Sequence, residues 1–192
     1  FSAGQSFKAL NLEHTNLNTQ ALKTLGQTLH HVTVEELNLS SLSFNIINFD
    51  YFIRQLFEGN ILKLILSKCG LTKEHIQTIG ELLDANATLE MLDISSNQIS
   101  SADMQPFLLT NIASKLREIN YANNKIDEQF VEKLYTQLAN QSNNTIESIN
   151  NANNPMTDAG IIAMVAAVPQ TNLSKINFAQ LPVNDHALQN LA

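Results

Sequence analysis

Apolar and polar residues follow one another along this chain in an eleven-residue pattern that reads apolar-x-x-apolar-x-apolar-x-x-Asn-x-apolar. The segments LEMLDISSNQI from Leu89, LREINYANNKI from Leu116 and IESINNANNPM from Ile146 carry it most clearly. The same template fits segments that begin at four further residues, Phe7, Val34, Ile61 and Leu173. The intervals between the seven starts are 27, 27, 28, 27, 30 and 27 residues, so the pattern marks seven repeats of one structural unit.

The second half of each repeat has the spacing of an amphipathic helix. After the last template position, apolar residues follow at about +5, +8 and +12, which places them on one face of two to three helical turns. In repeats 1, 3 and 6 these residues are Leu22, Leu25, Leu29, Ile76, Ile79, Leu83, Ile161, Met164 and Val168. Glu74 and Asp158 stand near predicted helix starts, where the helix dipole favours acidic side chains. Each repeat is therefore predicted to form a short strand, a turn and a helix.

A unit of this kind resembles the leucine-rich repeat, and a period of 27–30 residues with a full helix is similar to the ribonuclease-inhibitor type. The resemblance covers the whole chain and implies an α/β fold, a right-handed solenoid with a concave parallel sheet and convex helices. We expect one domain over residues 1–192, with about seven repeats starting near 7, 34, 61, 89, 116, 146 and 173. We also expect a fragment of a longer chain, because repeat 7 stops at Ala192 within its helix and Phe1–Ser6 contains no polar cap.

Several polar residues stand at template positions that should be buried. In leucine-rich repeats, asparagine at position 9 bonds the backbone of the adjacent turn, and Asn97, Asn124 and Asn154 are expected to do so here. Cys69 holds that position in repeat 3, a common substitution in the family, which predicts a buried structural thiol rather than a nucleophile. Asn151 occupies the apolar position 6 of repeat 6, where an amide without a partner would cost about 1–3 kcal/mol. Either Asn151 has a polar partner or a water, or the strand bulges.

The side chains between the buried strand positions are predicted to point to the concave face. Template position 5 on that face holds Asn11, Asn38, Ile65, Asp93, Asn120, Asn150 and Asn177. Two interpretations stay open: asparagine simply tolerates a solvated strand, or it forms a row of amide donors and acceptors for a partner. The predicted partner-binding residues of the middle repeats are Lys63, Ile65, Glu90, Met91, Asp93, Arg117, Glu118 and Asn120. Their character predicts a polar and partly basic partner.

Repeat 2 carries an excess of large apolar residues in its helical half. Phe49, Phe52 and Leu56 fall on the stripe that should be buried. The surplus residues are Ile47, Tyr51, Ile53 and Phe57. They indicate either a thicker core or an exposed convex patch that docks a partner.

Composition narrows the function classes further. A net charge of −7 and a pI near 5.1 argue against nucleic acid or an anionic membrane as the main partner, since both need a basic surface. The sequence has no apolar run long enough for a membrane span. The single cysteine, Cys69, fits a reducing environment such as the cytosol. We find no catalytic motif and predict no cofactor and no metal site.

The sequence therefore predicts a monomeric protein–protein interaction module without enzymatic activity, which binds a partner protein on its concave face. Its asparagine-rich, arginine-poor, acidic composition resembles that of effectors from intracellular bacteria, which would be secreted into the host cell. One alternative is a GTPase-activating protein of the Ran type, which shares this repeat class, although the chain offers only Arg54 and Arg117 as arginines. Another is a scaffold for a catalytic domain outside this fragment.

Overall fold

The computed structural model describes residues 4–44, 46–109, 115–141 and 143–181, and it contains one strand for each repeat. The strands are β1 Ser6–Asn11, β2 Thr33–Asn38, β3 Asn60–Ile65, β4 Met91–Asp93, β5 Glu118–Asn120, β6 Ser148–Asn150 and β7 Lys175–Asn177. The helices are α1 Thr19–Leu29, α2 Ile46–Glu58, α3 Lys73–Ala85, α4 Gln105–Leu109, α5 Glu128–Asn140 and α6 Asp158–Ala167, followed by a 3-10 helix at Val168–Gln170. The predicted helix of repeat 7 lies outside the described residues.

The seven strands form one parallel sheet in sequence order, β1 to β7. Equivalent template positions lie beside one another, so that Leu64 of β3 is paired with Leu37 of β2 and Leu92 of β4. Parallel neighbours need a crossover between them, and the helical half of each repeat supplies it. The predicted α/β solenoid with a parallel sheet and helices outside it is confirmed.

The core lies between the sheet and the helices. Position 4 of the template is almost fully shielded in β2 to β6, and the helical stripe packs against it, as Ile76 and Ile79 of α3 illustrate. Helix starts are fixed by side-chain caps: Asn18 accepts a hydrogen bond from the Ala21 N–H, and Asp127 accepts from Phe130. Burial of one apolar face, together with these caps, accounts for helices where the sequence shows the +5, +8, +12 spacing.

The turn after each strand has the same backbone conformation in all seven repeats. The residue at template position 8 has a positive φ between 54° and 62° in each case: His14, Ser41, Lys68, Ser96, Asn123, Asn153 and Gln180. For residues other than glycine this left-handed conformation costs about 1–2 kcal/mol. The conformation is offset by a hydrogen bond to the next repeat. The N–H at position 8 donates to the carbonyl oxygen at position 7 of the following repeat, as Ser41 does to Ser67 at 2.8 Å. The turn therefore adds one bond to every repeat junction from 1–2 to 6–7.

The predicted asparagine ladder, defined here as Asn97, Asn124 and Asn154, is present and buried. The Asn124 carboxamide oxygen accepts hydrogen bonds from the N–H groups of Asn97 and Ile99, both at 3.0 Å. Its nitrogen donates to carbonyl oxygens of its own turn and of the preceding one, at Tyr121 and Ile94. Each ladder side chain thus joins two successive turns.

Cys69 is buried at the head of this ladder. Its N–H donates to the Asn97 carboxamide oxygen, and its thiol donates to the Leu39 carbonyl oxygen at 3.2 Å. Burial raises the pKa of the Cys69 thiol to about 11. A thiol that is protonated, hydrogen-bonded and shielded fits the structural role predicted for it and not that of a nucleophile.

Asn151 is fully buried, and other side chains supply one good partner for its oxygen and two weak ones for its nitrogen, without a bulge in β6. Its carboxamide oxygen accepts a hydrogen bond from the Asn154 side chain at 3.1 Å. Its nitrogen faces the sulfur atoms of Met156 and Met164, which are weak acceptors. The first of the two alternatives, a polar partner, therefore holds at this position.

The aromatic excess of repeat 2 belongs mainly to the core. Ile53 is fully buried, and Phe57 is partly buried and packs on the core. Tyr51 is 37% exposed and is the one large hydrophobic residue that counts as exposed among the described residues. The Lys23 ammonium group lies over its ring, 5.8 Å from the centroid. The side chain of Ile47 lies outside the described residues, and Tyr51 is the exposed member among the other surplus residues.

Candidate functional site: the concave face of the sheet

The concave face is built from template positions 3, 5 and 7, because strand side chains alternate between the two faces of a sheet. Six of the eight predicted site residues lie on it. Lys63 and Ile65 belong to β3, Met91 and Asp93 to β4, and Glu118 and Asn120 to β5. In the sheet register Met91 is paired with Lys63 on one side and Glu118 on the other, and Asp93 likewise separates Ile65 from Asn120. These six therefore form one continuous surface.

Asparagine at position 5 has a structural function that its exposure conceals. In six repeats the side-chain oxygen at this position accepts a hydrogen bond from the N–H two residues later, an Asx turn that ends the strand. The distances are 2.8–3.1 Å. The turn occupies the carboxamide oxygen and leaves the nitrogen to face a ligand, except at Asn120, whose nitrogen donates to the Asp93 carboxylate. The first interpretation is therefore incomplete, since asparagine here is more than a tolerated solvated residue, and the second, a row of amide groups for a partner, stays a hypothesis.

Ile65 is the exception at position 5. It has no acceptor atom, so repeat 3 lacks the Asx turn, and its side chain is half-buried on the concave face instead. Met91, also half-buried, is paired with Lys63, two residues before Ile65, so Ile65 and Met91 are diagonal neighbours. The two residues form an apolar patch on a face that is otherwise polar.

The Asp93 carboxylate lies beside this patch in a fixed orientation. One oxygen accepts from the Ser95 N–H at 2.8 Å, and the other accepts from the Asn120 side-chain nitrogen at 2.7 Å. Both donors are neutral. Among the residues that the structure describes, no basic side chain forms an ion pair with Asp93 or Glu118. The patch therefore adjoins negative charge that lacks a counter-ion.

Glu90 and Arg117 lie apart from the other six, at the edge where the strands begin. Each stands one residue before its strand, and the Arg117 guanidinium group forms an ion pair with Glu147 of the next repeat. The other arginine, Arg54, is held on the convex side by Asp50 and Glu81. Both arginines are thus engaged in ion pairs.

A groove of about 560 Å³ extends the concave surface into repeats 6 and 7. It starts at Met91, Glu118 and Asn120, and continues over Ser148, Asn150, Ser174, Lys175 and Asn177. The predicted partner-binding residues stopped at repeat 5 and did not include these later ones, although Asn150 and Asn177 were predicted to lie on the same face. The signal was available, because template positions 3 and 5 of repeats 6 and 7 stand in register with those of repeat 5.

Two other kinds of site, a metal centre and a membrane span, are not found in the part of the chain that the structure describes. No group of three or more His, Cys, Asp or Glu side chains within the described ranges is arranged to hold a metal ion. None of the described helices combines the length and apolar character that a membrane span requires. The concave face is therefore the candidate site that combines a groove, an apolar patch and unpaired charge.

Comparison with known proteins places this fold among leucine-rich repeats. No family model matches the chain. Protein PAC2 of Saccharomyces cerevisiae is 39% identical over 90 residues, which are 46% of this chain and 17% of that protein. The ribonuclease inhibitor of Sus scrofa is 30% identical over 115 residues, 58% of this chain and 25% of the inhibitor. The chain thus spans a quarter or less of the length of these curated relatives.

Solved structures with this architecture are distant in sequence. The tropomodulin C-terminal domain of Caenorhabditis elegans superposes with a TM-score of 0.62 at 13% identity, covering 77% of this chain and 89% of that domain. Actin-binding site 2 of leiomodin-1 gives 0.57 at 12%, covering 76% and 84%. TLR13, in its complex with ssRNA13, gives 0.56 at 13% and covers 93% of this chain and 23% of TLR13. The chain has a leucine-rich-repeat fold similar to that of ribonuclease inhibitor.

Proposed function

We propose that this chain is a protein–protein interaction module that binds a segment of a partner protein on its concave face. The observation that carries the proposal is the patch of Ile65 and Met91, set beside the unpaired Asp93 carboxylate and continuous with the groove. Apolar anchors within a polar surround are typical of surfaces where a few residues dominate the binding energy. The chain offers no catalytic chemistry at this site, so we propose binding without turnover.

Related proteins support a binding role. The similar proteins include an inhibitor of ribonuclease and an actin-binding site of leiomodin-1. TLR13 was solved with a single-stranded RNA. RNA is a poor ligand for the present chain, whose net charge of −7 would repel a polyanion. A protein partner fits the charge better.

A quantitative pull-down tests the proposal. The bait is the wild-type chain, compared with Ile65→Asp and Asp93→Lys on the concave face and with Tyr51→Ser on the convex face. Circular dichroism and thermal unfolding verify that each bait is folded. We expect specific proteins to be captured by the wild type and by Tyr51→Ser, and to be lost from both concave variants.

The rival site makes the opposite prediction. If Tyr51→Ser abolishes capture while Ile65→Asp and Asp93→Lys retain it, the partner binds the convex side and the concave proposal is wrong. If all four folded baits capture the same proteins equally, neither site binds the partner. Both outcomes reject the concave face.

Three finer hypotheses accompany this function. We propose a cytosolic, reducing site of action, which suits the free and buried thiol of Cys69. We propose a monomer, to be checked by light scattering. A role as a bacterial effector secreted into host cells rests on composition alone, and the curated relatives come from yeast and pig. A translocation assay with the full-length gene product would test it.

A further inference from the structure

We infer that the partner segment carries a basic residue and, about 10 Å further along, an acidic residue, and that it lies across strands β3 to β7. The inference rests on the proposed function and specifies the chemistry of the partner. It follows from three features of the concave face: the apolar patch, the unpaired carboxylates of Asp93 and Glu118, and a donor-rich end around Lys175. The occupant is a protein segment complementary to this order of charges.

The basic residue is required by Asp93 and Glu118. The Asp93 oxygens are held by the Ser95 N–H and the Asn120 amide, so the carboxylate stays in place before a ligand arrives. Asp93 is half-buried, and on the same face Glu118 adds a second negative charge one strand away. A preorganised charge without a counter-ion favours a cationic group, because the partner need not reorganise the site to form the ion pair.

The apolar patch of Ile65 and Met91 indicates how the side chain of the partner's basic residue is oriented. Lysine and arginine have long aliphatic stems that cover apolar surface while the charged head reaches a polar group. Ile65 and Met91 are diagonal neighbours, and Asp93 is the direct neighbour of Ile65. A stem over the two apolar side chains would therefore deliver its head to Asp93 and Glu118. This arrangement uses both the apolar and the charged members of the site.

The acidic residue is required by the other end of the groove. Lys175 is exposed, and no carboxylate within the described residues forms an ion pair with it. Beside it, the oxygens of Asn150 and Asn177 are occupied by their Asx turns, which leaves two side-chain N–H₂ groups as donors. Positive charge and fixed donors together favour a carboxylate.

The spacing between the two partner residues follows from the register. Glu118 is paired with Ser148, and Ser148 is paired with Lys175, so two strand spacings separate the acidic end from the basic end. Two spacings are about 10 Å. That distance corresponds to residues about three apart in an extended segment or about seven apart in a helix.

Peptide display supplies the experiment. A library of random twelve-residue peptides is selected on the wild-type chain, and binding of the enriched peptides is measured by fluorescence anisotropy. The test variants are Asp93→Asn, Lys175→Gln and Ile65→Asn. Asp93→Asn removes the charge and the acceptor of the Asn120 side-chain amide, but it keeps the turn, because asparagine forms the same Asx turn in five other repeats. Glu132→Gln and Lys133→Gln on α5 are the matched convex controls, since both residues are exposed.

We expect enriched peptides to carry Arg or Lys and an acidic residue at one of the two spacings. We expect Asp93→Asn and Lys175→Gln each to weaken binding on the order of three- to tenfold, and the convex controls to change nothing. If no peptide is enriched, or if Ile65→Asn weakens binding while both charge variants leave it intact, the inference is wrong and the concave site still stands. Binding that is equal for all three concave variants would reject the proposed function as well.

Discussion

Replacing Asn124 by alanine tests whether the asparagine ladder carries the stability of the middle repeats. The substitution removes the acceptor of the Asn97 and Ile99 N–H groups, both of which lie in buried turns. The carbonyl groups that Asn124 contacts keep other partners: the Ile94 oxygen still accepts from Asn97, and the Tyr121 oxygen still accepts from Asn154. The loss is therefore confined to two backbone N–H groups.

The magnitude follows from those two groups. An N–H that is left buried without a partner costs about 1–3 kcal/mol, so Asn124→Ala should lower the free energy of unfolding by about 2–6 kcal/mol. Water that enters the space vacated by the carboxamide would bring the value toward the lower end. The control is Asn38→Ala on the concave face, which removes one partly exposed bond to the Ser40 N–H and should cost about 0.5–1.5 kcal/mol.

Urea unfolding followed by circular dichroism at 222 nm measures both variants. The midpoint should fall much further for Asn124→Ala than for Asn38→Ala. A lowered slope for Asn124→Ala would indicate that the repeats on its two sides now unfold separately. A change below about 0.5 kcal/mol at Asn124, or a larger loss at Asn38, would refute the assignment of the two asparagine positions.

Three further substitutions probe other parts of the fold. His75 accepts a hydrogen bond from the Thr72 N–H, and burial lowers the pKa of its imidazole. The unfolded chain therefore binds the proton at higher pH than the folded chain, and the free energy of unfolding should fall as the pH drops below about 6.5. His75→Gln keeps a hydrogen-bond acceptor, and urea titrations of this variant should show a smaller loss of stability at low pH. Asn151→Leu replaces a buried amide with weak sulfur acceptors by an apolar side chain, and should raise the unfolding free energy by about 1 kcal/mol in the same assay. Ile65→Asn restores an acceptor for the turn after β3, and its thermal midpoint should equal or exceed that of the wild type.

Much of the fold was predictable because the template specifies burial one residue at a time. Strand positions 4 and 6 are apolar because their side chains pack in the core against the apolar stripe of the helices. The partners of the Asn151 side chain could not be predicted from the sequence, since they depend on how Met156 and Met164 pack against the strand. The positive φ at position 8 was equally hidden, because no glycine occupies that position in any repeat.

The candidate site was predicted less completely, since its properties arise between repeats. Template positions alone brought Ile65, Met91, Asp93 and Glu118 to one face. Arg117 was predicted in the same site, but it stands at template position 2, one residue before β5, and it forms an ion pair with Glu147 of the next repeat. A linear pattern records which face a residue occupies, but not which neighbour it binds.

Asparagine has different roles at two template positions. At position 9 it contributes only to the stability of the fold, whereas at position 5 it can also contribute to binding. At position 9 the whole carboxamide is consumed by backbone groups, as at Asn124, so nothing remains for a partner. At position 5 the oxygen ends the strand while the nitrogen faces the concave side, so one residue contributes to stability and still offers a donor. Ile65 gives up the first contribution and offers apolar surface instead. The partner's stem is assigned to Ile65 in our proposal because this residue offers apolar surface at a position that is polar in the other six repeats.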